Sequence, residues 1–190
     1  MELPVTAVYD ANVLYPAPLR DLLIRVAQAG LVRARWTEAI HDEWVRHVLA
    51  NRPHLTAERL ERTRALINDA VRDCLVTGYE PLIDSLSLPD INDRHVLAAA
   101  LRAGAELIVT FNLKDFPAQS MSAYGIAAVH PDEFVQMLFE TAPEVVCECV
   151  RRQREGLRNP PQTVEQLLAT LESQGLVQTV ARLRSCVEML

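Results

Sequence analysis

The chain has 190 residues, 49% of them apolar and 23% charged, with a formal net charge of −6. That length and balance fit one globular domain with a small appendage, large enough for a core without disulfides or structural metal. They exclude a molecule that is basic overall, and no segment approaches the roughly 18–20 apolar residues that span a bilayer.

Positive charge is almost all arginine, with Lys114 the only lysine. Arginine suits phosphate contacts. The four cysteines, Cys74, Cys147, Cys149 and Cys186, form no CxxC pair and no zinc-finger spacing. They read as buried, reduced thiols. The N-terminus has no basic start leading into an apolar stretch, so no signal peptide and a cytoplasmic location are expected.

In chain order, Val5–Tyr9 is a short β-rich run. Pro16 and Pro18 break the chain before a helix over about Leu19–Ala29. Leu31–Trp36 reads as a short strand. Thr37 suits the N-cap of a helix reaching about Ala50. A further helix is expected over Thr56–Val76, then a strand at Tyr79–Ile83. A helix over about Ile91–Ala103 closes at Gly104, a usual position just past a helix end. Glu106–Thr110 and Ile126–Val129 complete the strands. Strands separated by helices imply a mostly parallel sheet covered on both faces.

From His130 onward only helices are expected. Pro131 suits a first turn, Thr141 with Glu144 reads as a capping box, and Asn159-Pro-Pro161 is a linker. Thr163 with Gln166 opens another helix, and a last one starts near Leu176. The division expected is 1–130 for the α/β domain and 131–190 for a helical extension.

The chemistry lies in acids that follow apolar runs. Asp10 comes just past the first strand, where open parallel sheets place ligands; an acid there also makes an ordinary Asx-turn. At about 100° per residue, Ile40, Trp44 and Val48 form one helical stripe. Glu43 falls on its edge, whereas Glu38 and Asp42 point away. Asp90 and Asp93 open the alanine-rich helix; Asp93 is favoured as a site acid, with Asp90 as cap or second contributor. Thr110, Asn112 and Asp115 follow the third strand. Gathered together, such carboxylates are unfavourable unless they take up protons or bind a cation. Carboxylates around a divalent metal are a recurring design for cutting phosphodiesters. The five histidines are scattered without HExxH, and the Arg151-Arg-Gln-Arg154 run with Arg158 reads first as a solvated helix face.

Taken together these residues resemble the PIN domain family. The match runs through Val-Tyr-Asp10-Ala-Asn12, Glu43, Asp90-Ile-Asn-Asp93-Arg-His-Val-Leu-Ala-Ala-Ala, and Leu-Ile-Val-Thr110-Phe-Asn112-Leu-Lys-Asp115-Phe, over about residues 1–130. The resemblance implies a Rossmann-like α/β/α sandwich and a Mg²⁺- or Mn²⁺-dependent endoribonuclease. It also implies the toxin of a VapBC-type pair, with an RNA substrate, a protein antitoxin, a homodimer and no membrane. Asp10, Glu43 and Asp93 take the metal-ligand and catalytic roles by resemblance, and Asn12 and Thr110 match supporting polar positions. Many relatives carry an Asp where this chain has Asn112, and Asp115 is the candidate to supply that charge. The helices after His130 look like the extension of a VapC subgroup, suited to bind an antitoxin, extend a dimer or shape the RNA site. The competing expectation is an inactive PIN-like module that binds RNA or a protein through its helical tail. A phosphatase using Asp10 as nucleophile is disfavoured by Asn12, which stands where a second Asp is usual.

Overall fold

The computed structural model describes residues 3–190. Four strands, β1 (Val5–Tyr9), β2 (Val32–Arg35), β3 (Leu107–Val109) and β4 (Ala127–Val129), form a parallel sheet in the order β2-β1-β3-β4. β1 is buried at all five positions. A central strand covered on both faces has no solvent side, so its sequence is apolar but for the buried Thr6. β2 lies at one margin and alternates instead, Val32-Arg33-Ala34-Arg35, with Val32 and Ala34 buried and the arginines turned outward.

Helices cover the sheet as an α/β/α sandwich: α1 (Ala11–Leu14), α2 (Ala17–Gln28), α3 (Glu38–Asn51), α4 (Ala57–Ala70), α5 (Arg94–Ala103) and α6 (Ala118–Met121). α5 packs on β1 and β3, and α2 on β2. Gly104, with φ +60°, accepts the left-handed turn that ends α5. The stripe predicted on α3 is correct: Ile40, Trp44 and Val48 are buried, and Glu38 and Asp42 are exposed, paired to Arg64.

Three local expectations fail for identifiable reasons. Tyr79–Ile83 is not a strand; Glu80–Ser85 is a tight 3₁₀ run with Pro81 in its first turn. α4 stops at Ala70, not Val76, because the chain turns back to bond beside β2: Trp36 N donates to Cys74 O (2.9 Å) and Val76 N to Trp36 O (2.9 Å). Thr141 and Glu144 form no capping box. Helix α7 (Pro131–Thr141) runs through Thr141, whose hydroxyl donates to Met137 O (3.0 Å). The box at Thr163 and Gln166 does form.

The extension continues with α8 (Pro143–Gly156), α9 (Val164–Ser173) and α10 (Val177–Arg184). It lies against the sandwich, with α8 and α9 packed on α2. Asp132 ties the start of α10 to α7, accepting from Gln178 N (2.9 Å) and Thr179 N (2.8 Å). A charged acceptor at a helix N-terminus also meets the positive end of the helix dipole. Gln153, buried in α8, donates from Nε2 to Pro18 O (2.7 Å). Among the described residues no helix is long and apolar enough to cross a membrane.

Candidate active site

From β1 the chain goes to β2 on one side, then returns to β3 on the other. The crevice where this order reverses lies at the carboxyl ends of β1 and β3. Asp10 is the residue after β1, and Thr110 the residue after β3. Asp10 N bonds Val109 O at 3.1 Å, which holds the two strand ends together.

A hydrogen-bond network fixes Asp10 almost without freedom. Its Oδ1 accepts from Ala11 N (2.7 Å), as the N-cap of α1. Its Oδ2 accepts from Asn12 Nδ2 (2.7 Å) and Thr110 Oγ1 (2.8 Å). Thr110 Oγ1 also accepts from Asn12 Nδ2 (2.8 Å) and Asn112 N (3.0 Å). One hydroxyl donor and two lone pairs are all a threonine has, so Thr110 is fully used. Asn12 is too: both amide hydrogens are committed, and its Oδ1 accepts from Phe111 N (3.1 Å). The outcome is directional: Oδ2 of Asp10 is occupied twice, and Oδ1 keeps the freer lone pair. Burial pushes the Asp10 carboxyl above the usual carboxylate range, while the bonds from Thr110 and Ala11 pull it down; nearby Glu43 raises it further.

The other predicted acids surround this point. Glu43 is half-buried, and His95 Nε2 lies 3.7 Å from its Oε2. The nearby His95 imidazole is the largest influence and holds the Glu43 carboxyl low. Asp93 is pushed up to about 6, first by burial and then by the negative charges of Asp10, Asp115, Asp90 and Glu43. Asp93 thus feels every other acid singled out in the sequence. Asp90 is exposed and caps the turn that leads into α5, accepting from Asn92 N at 2.8 Å. Asp115 sits in a single 3₁₀ turn, Leu113–Asp115. The side chain of Asn112 is exposed, and what this residue contributes to Thr110 is its backbone N–H. Among the described residues, no three or more His, Cys, Asp or Glu side chains are drawn close enough to cage a metal.

Sequence reasoning did not single out Phe111 or the Glu43–His95 contact as parts of one site. His41 proves structural: it is fully buried, accepts from Trp44 Nε1 at 2.8 Å and bonds Asn68 Oδ1 at 2.8 Å. The arginines of α8 are engaged locally. Arg151 pairs with Glu148 and Glu155, Arg152 with Glu148, and Arg154 Nε donates to Leu190 O. A face so neutralised offers little to a phosphate backbone.

Comparison with known proteins bears on the same residues. No solved structure matches. A protein of Mycobacterium tuberculosis (strain ATCC 25618 / H37Rv) named "Putative ribonuclease VapC50" is 39% identical over 97 residues, 51% of this chain and 57% of the relative. The matched stretch thus spans little more than half of that relative's length. Residues 131–185 match the VapC50 C-terminal domain. Residues 6–114, which include Asp10, Asn12, Glu43, Asp93 and Thr110, match the PIN domain. That match covers more than half of the chain and agrees with the strand order and with the crevice, and the chain belongs to the PIN domain family.

Proposed function

We propose that this protein is a divalent-metal-dependent endoribonuclease, the toxin of a VapBC-type pair. The observation that carries this reading is the crevice itself: Asp10 and Thr110 meet at the ends of β1 and β3 within the stretch that matches the PIN domain, and the charges of Glu43, Asp90, Asp93 and Asp115 lie near enough to act on one another. Like charges gathered at a strand-end crevice, with His95 beside Glu43 the nearest positive group, suit a cation. The donors are carboxylate oxygens, which fit a hard ion such as Mg²⁺ or Mn²⁺. Asp10, Glu43 and Asp93 would hold it, with Asp115 completing the set in place of the exposed Asn112. When bound, the cation supplies charge neutralisation at the phosphodiester and activation of water at neutral pH.

The chain's own residues do the positioning. Asn12 and Thr110 occupy Asp10 Oδ2, so that Oδ1, bonded once by Ala11 N, keeps the freer lone pair. His95 orients Glu43. Asp93 takes up a proton near pH 6 when no cation is present. No side-chain nucleophile is needed. The same reading carries an RNA substrate, a protein antitoxin, a homodimer, a cytoplasmic location and a division into residues 1–130 and 131–190. The named relative and the VapC50 C-terminal match support it.

A second reading, a non-catalytic PIN module, is favoured by the lack of a tight three-ligand cluster among the described residues. One assay separates the two. Single-stranded and total RNA are incubated with Mn²⁺ or with EDTA, using wild type and Asp10→Asn. Cleavage that needs Mn²⁺ and is lost in Asp10→Asn supports the nuclease. Equal cleavage by both proteins, or none by folded wild type over a range of RNAs, sinks it.

A further inference from the structure

We infer that the turn joining α9 to α10 positions the active-site loop, acting through Phe111, so that the extension is a working part of the site. This rests on the reading of Asp10 as a site acid. Gly175 in that turn has φ +91°. A Cβ there would lie 3.3 Å from Phe111 Cε1 and 3.7 Å from His130 Cε1. The turn therefore presses its backbone on the ring, an approach that glycine alone makes without strain.

Both sides of this contact are fixed. On the extension side, Gln174 Oε1 accepts from Leu19 N (2.9 Å), Gly175 N bonds Glu172 O (3.0 Å), and Leu176 N bonds Leu171 O (3.2 Å). Leu176 is fully buried. On the other side, the Phe111 ring meets His130 edge to face, with centroids 5.1 Å apart. His130 Nδ1 accepts from Asp132 N (3.1 Å), which sets its ring and its tautomer. The ring of Phe111 is thus held between the end of β4 and the α9–α10 turn.

The backbone of Phe111 carries the effect inward. Its N–H donates to Asn12 Oδ1, the one bond on the oxygen side that fixes which way the Asn12 amide faces. With Oδ1 committed there, Nδ2 must face Asp10 Oδ2 and Thr110 Oγ1. Were Phe111 displaced by a few tenths of an ångström, its bond to Asn12 would weaken, and with it one of the three bonds that hold the Asp10 carboxylate. Supports of this kind, one step removed from a ligand, are worth roughly tenfold or more in metal affinity. Phe111 and Gly175 are therefore positioning residues.

The test uses the full chain and four proteins: wild type, Gly175→Ala, Phe111→Leu and, as a control in the same turn, Gln174→Ala. Three readouts are taken: Mn²⁺ affinity by calorimetry, the NMR resonances of the Asn12 side-chain amide without metal, and kcat and KM on single-stranded RNA. Gly175→Ala and Phe111→Leu act one step further out than Asn12, so they are expected to weaken Mn²⁺ by about threefold to tenfold. They should shift the Asn12 amide and lower kcat while KM stays constant. Gln174→Ala should lower the melting temperature but leave affinity and the Asn12 amide close to wild type. Unchanged Asn12 resonances in both test variants would overturn the inference, as would Gln174→Ala reproducing their effects. If wild type binds no Mn²⁺ yet the Asn12 amide responds as expected, the metal reading falls and the positioning role stands.

Discussion

Replacing Asp93 by Asn should stabilise the metal-free protein while disabling the site. Raising a carboxyl from 3.8 to about 6 disfavours its charged form by about 2.2 × 1.36, or roughly 3 kcal/mol, at neutral pH. Asp93 is only half-buried, so solvent screening reduces this to about 1–1.5 kcal/mol. The sign follows from proton binding. The folded state holds the Asp93 proton more tightly than the unfolded chain does. Stability therefore falls as pH rises from about 4 to about 6 and stays lower above that. The amide in Asp93→Asn carries no charge at any pH and escapes the penalty. In EDTA at pH 8, Asp93→Asn should melt about 3–5 °C above wild type. The offset should shrink steadily as pH falls from about 6 to about 4, where the wild-type carboxyl regains its proton in the folded state. Adding Mn²⁺ should raise the wild-type melting temperature and leave the variant unmoved. The reasoning is refuted if the variant melts at or below wild type at pH 8, or if the offset is the same at pH 4.

Three further outcomes follow from the geometry. Thr110→Val keeps shape but takes one partner each from Asp10 Oδ2 and Asn12 Nδ2 and the bond of Asn112 N, so it should cost about 2–3 kcal/mol in urea unfolding and abolish cleavage; a loss below about 0.5 kcal/mol would contradict the network. Burial holds the His41 imidazole neutral, below its ordinary value, and Trp44 Nε1 donates to a lone pair that protonation would remove. Stability should therefore decline as pH falls through about 6.5, and a His41→Gln variant should show a flatter acid limb in thermal melts. Cys147 Sγ and Cys186 Sγ lie 3.1 Å apart, and burial pushes the Cys147 thiol up to about 12. A small-molecule disulfide should react first at the less buried Cys186 and then join the pair. Peptide mapping should find the crosslink, with a stability gain of up to about 4 kcal/mol for a loop of this size; two free thiols after treatment would count against it.

The site was legible wherever a local rule carried the information. Asp10 and Thr110 stand out because each ends an apolar strand, and strand ends in a parallel sheet converge on one edge. Glu43 was separated from Glu38 and Asp42 by helical periodicity alone, and the exposure of the latter two bears this out. The failures share a different cause. Tyr79 and Ile83 have high strand preference, yet strand identity depends on a neighbour to pair with, and no strand among the described residues pairs there. The end of α4 is set by bonds to Trp36. His95 beside Glu43, and Gly175 against Phe111, join residues far apart in sequence, and no periodicity encodes such meetings. Asn112 shows the reverse: its side chain departs from the relatives' pattern, while its N–H serves Thr110 whatever the side chain is.

The arginines of β2 have a consequence for assembly. An edge strand offers unpaired backbone groups to any passing chain, and charged side chains are among the devices that deter such pairing. Arg33 and Arg35 stand at that margin, and Trp36, just beyond, is already bonded to Cys74 and Val76. The opposite margin, β4, is only three residues long. Neither rim invites a foreign strand to lengthen the sheet. The protein is thereby guarded against edge-to-edge stacking of its sheet into fibres.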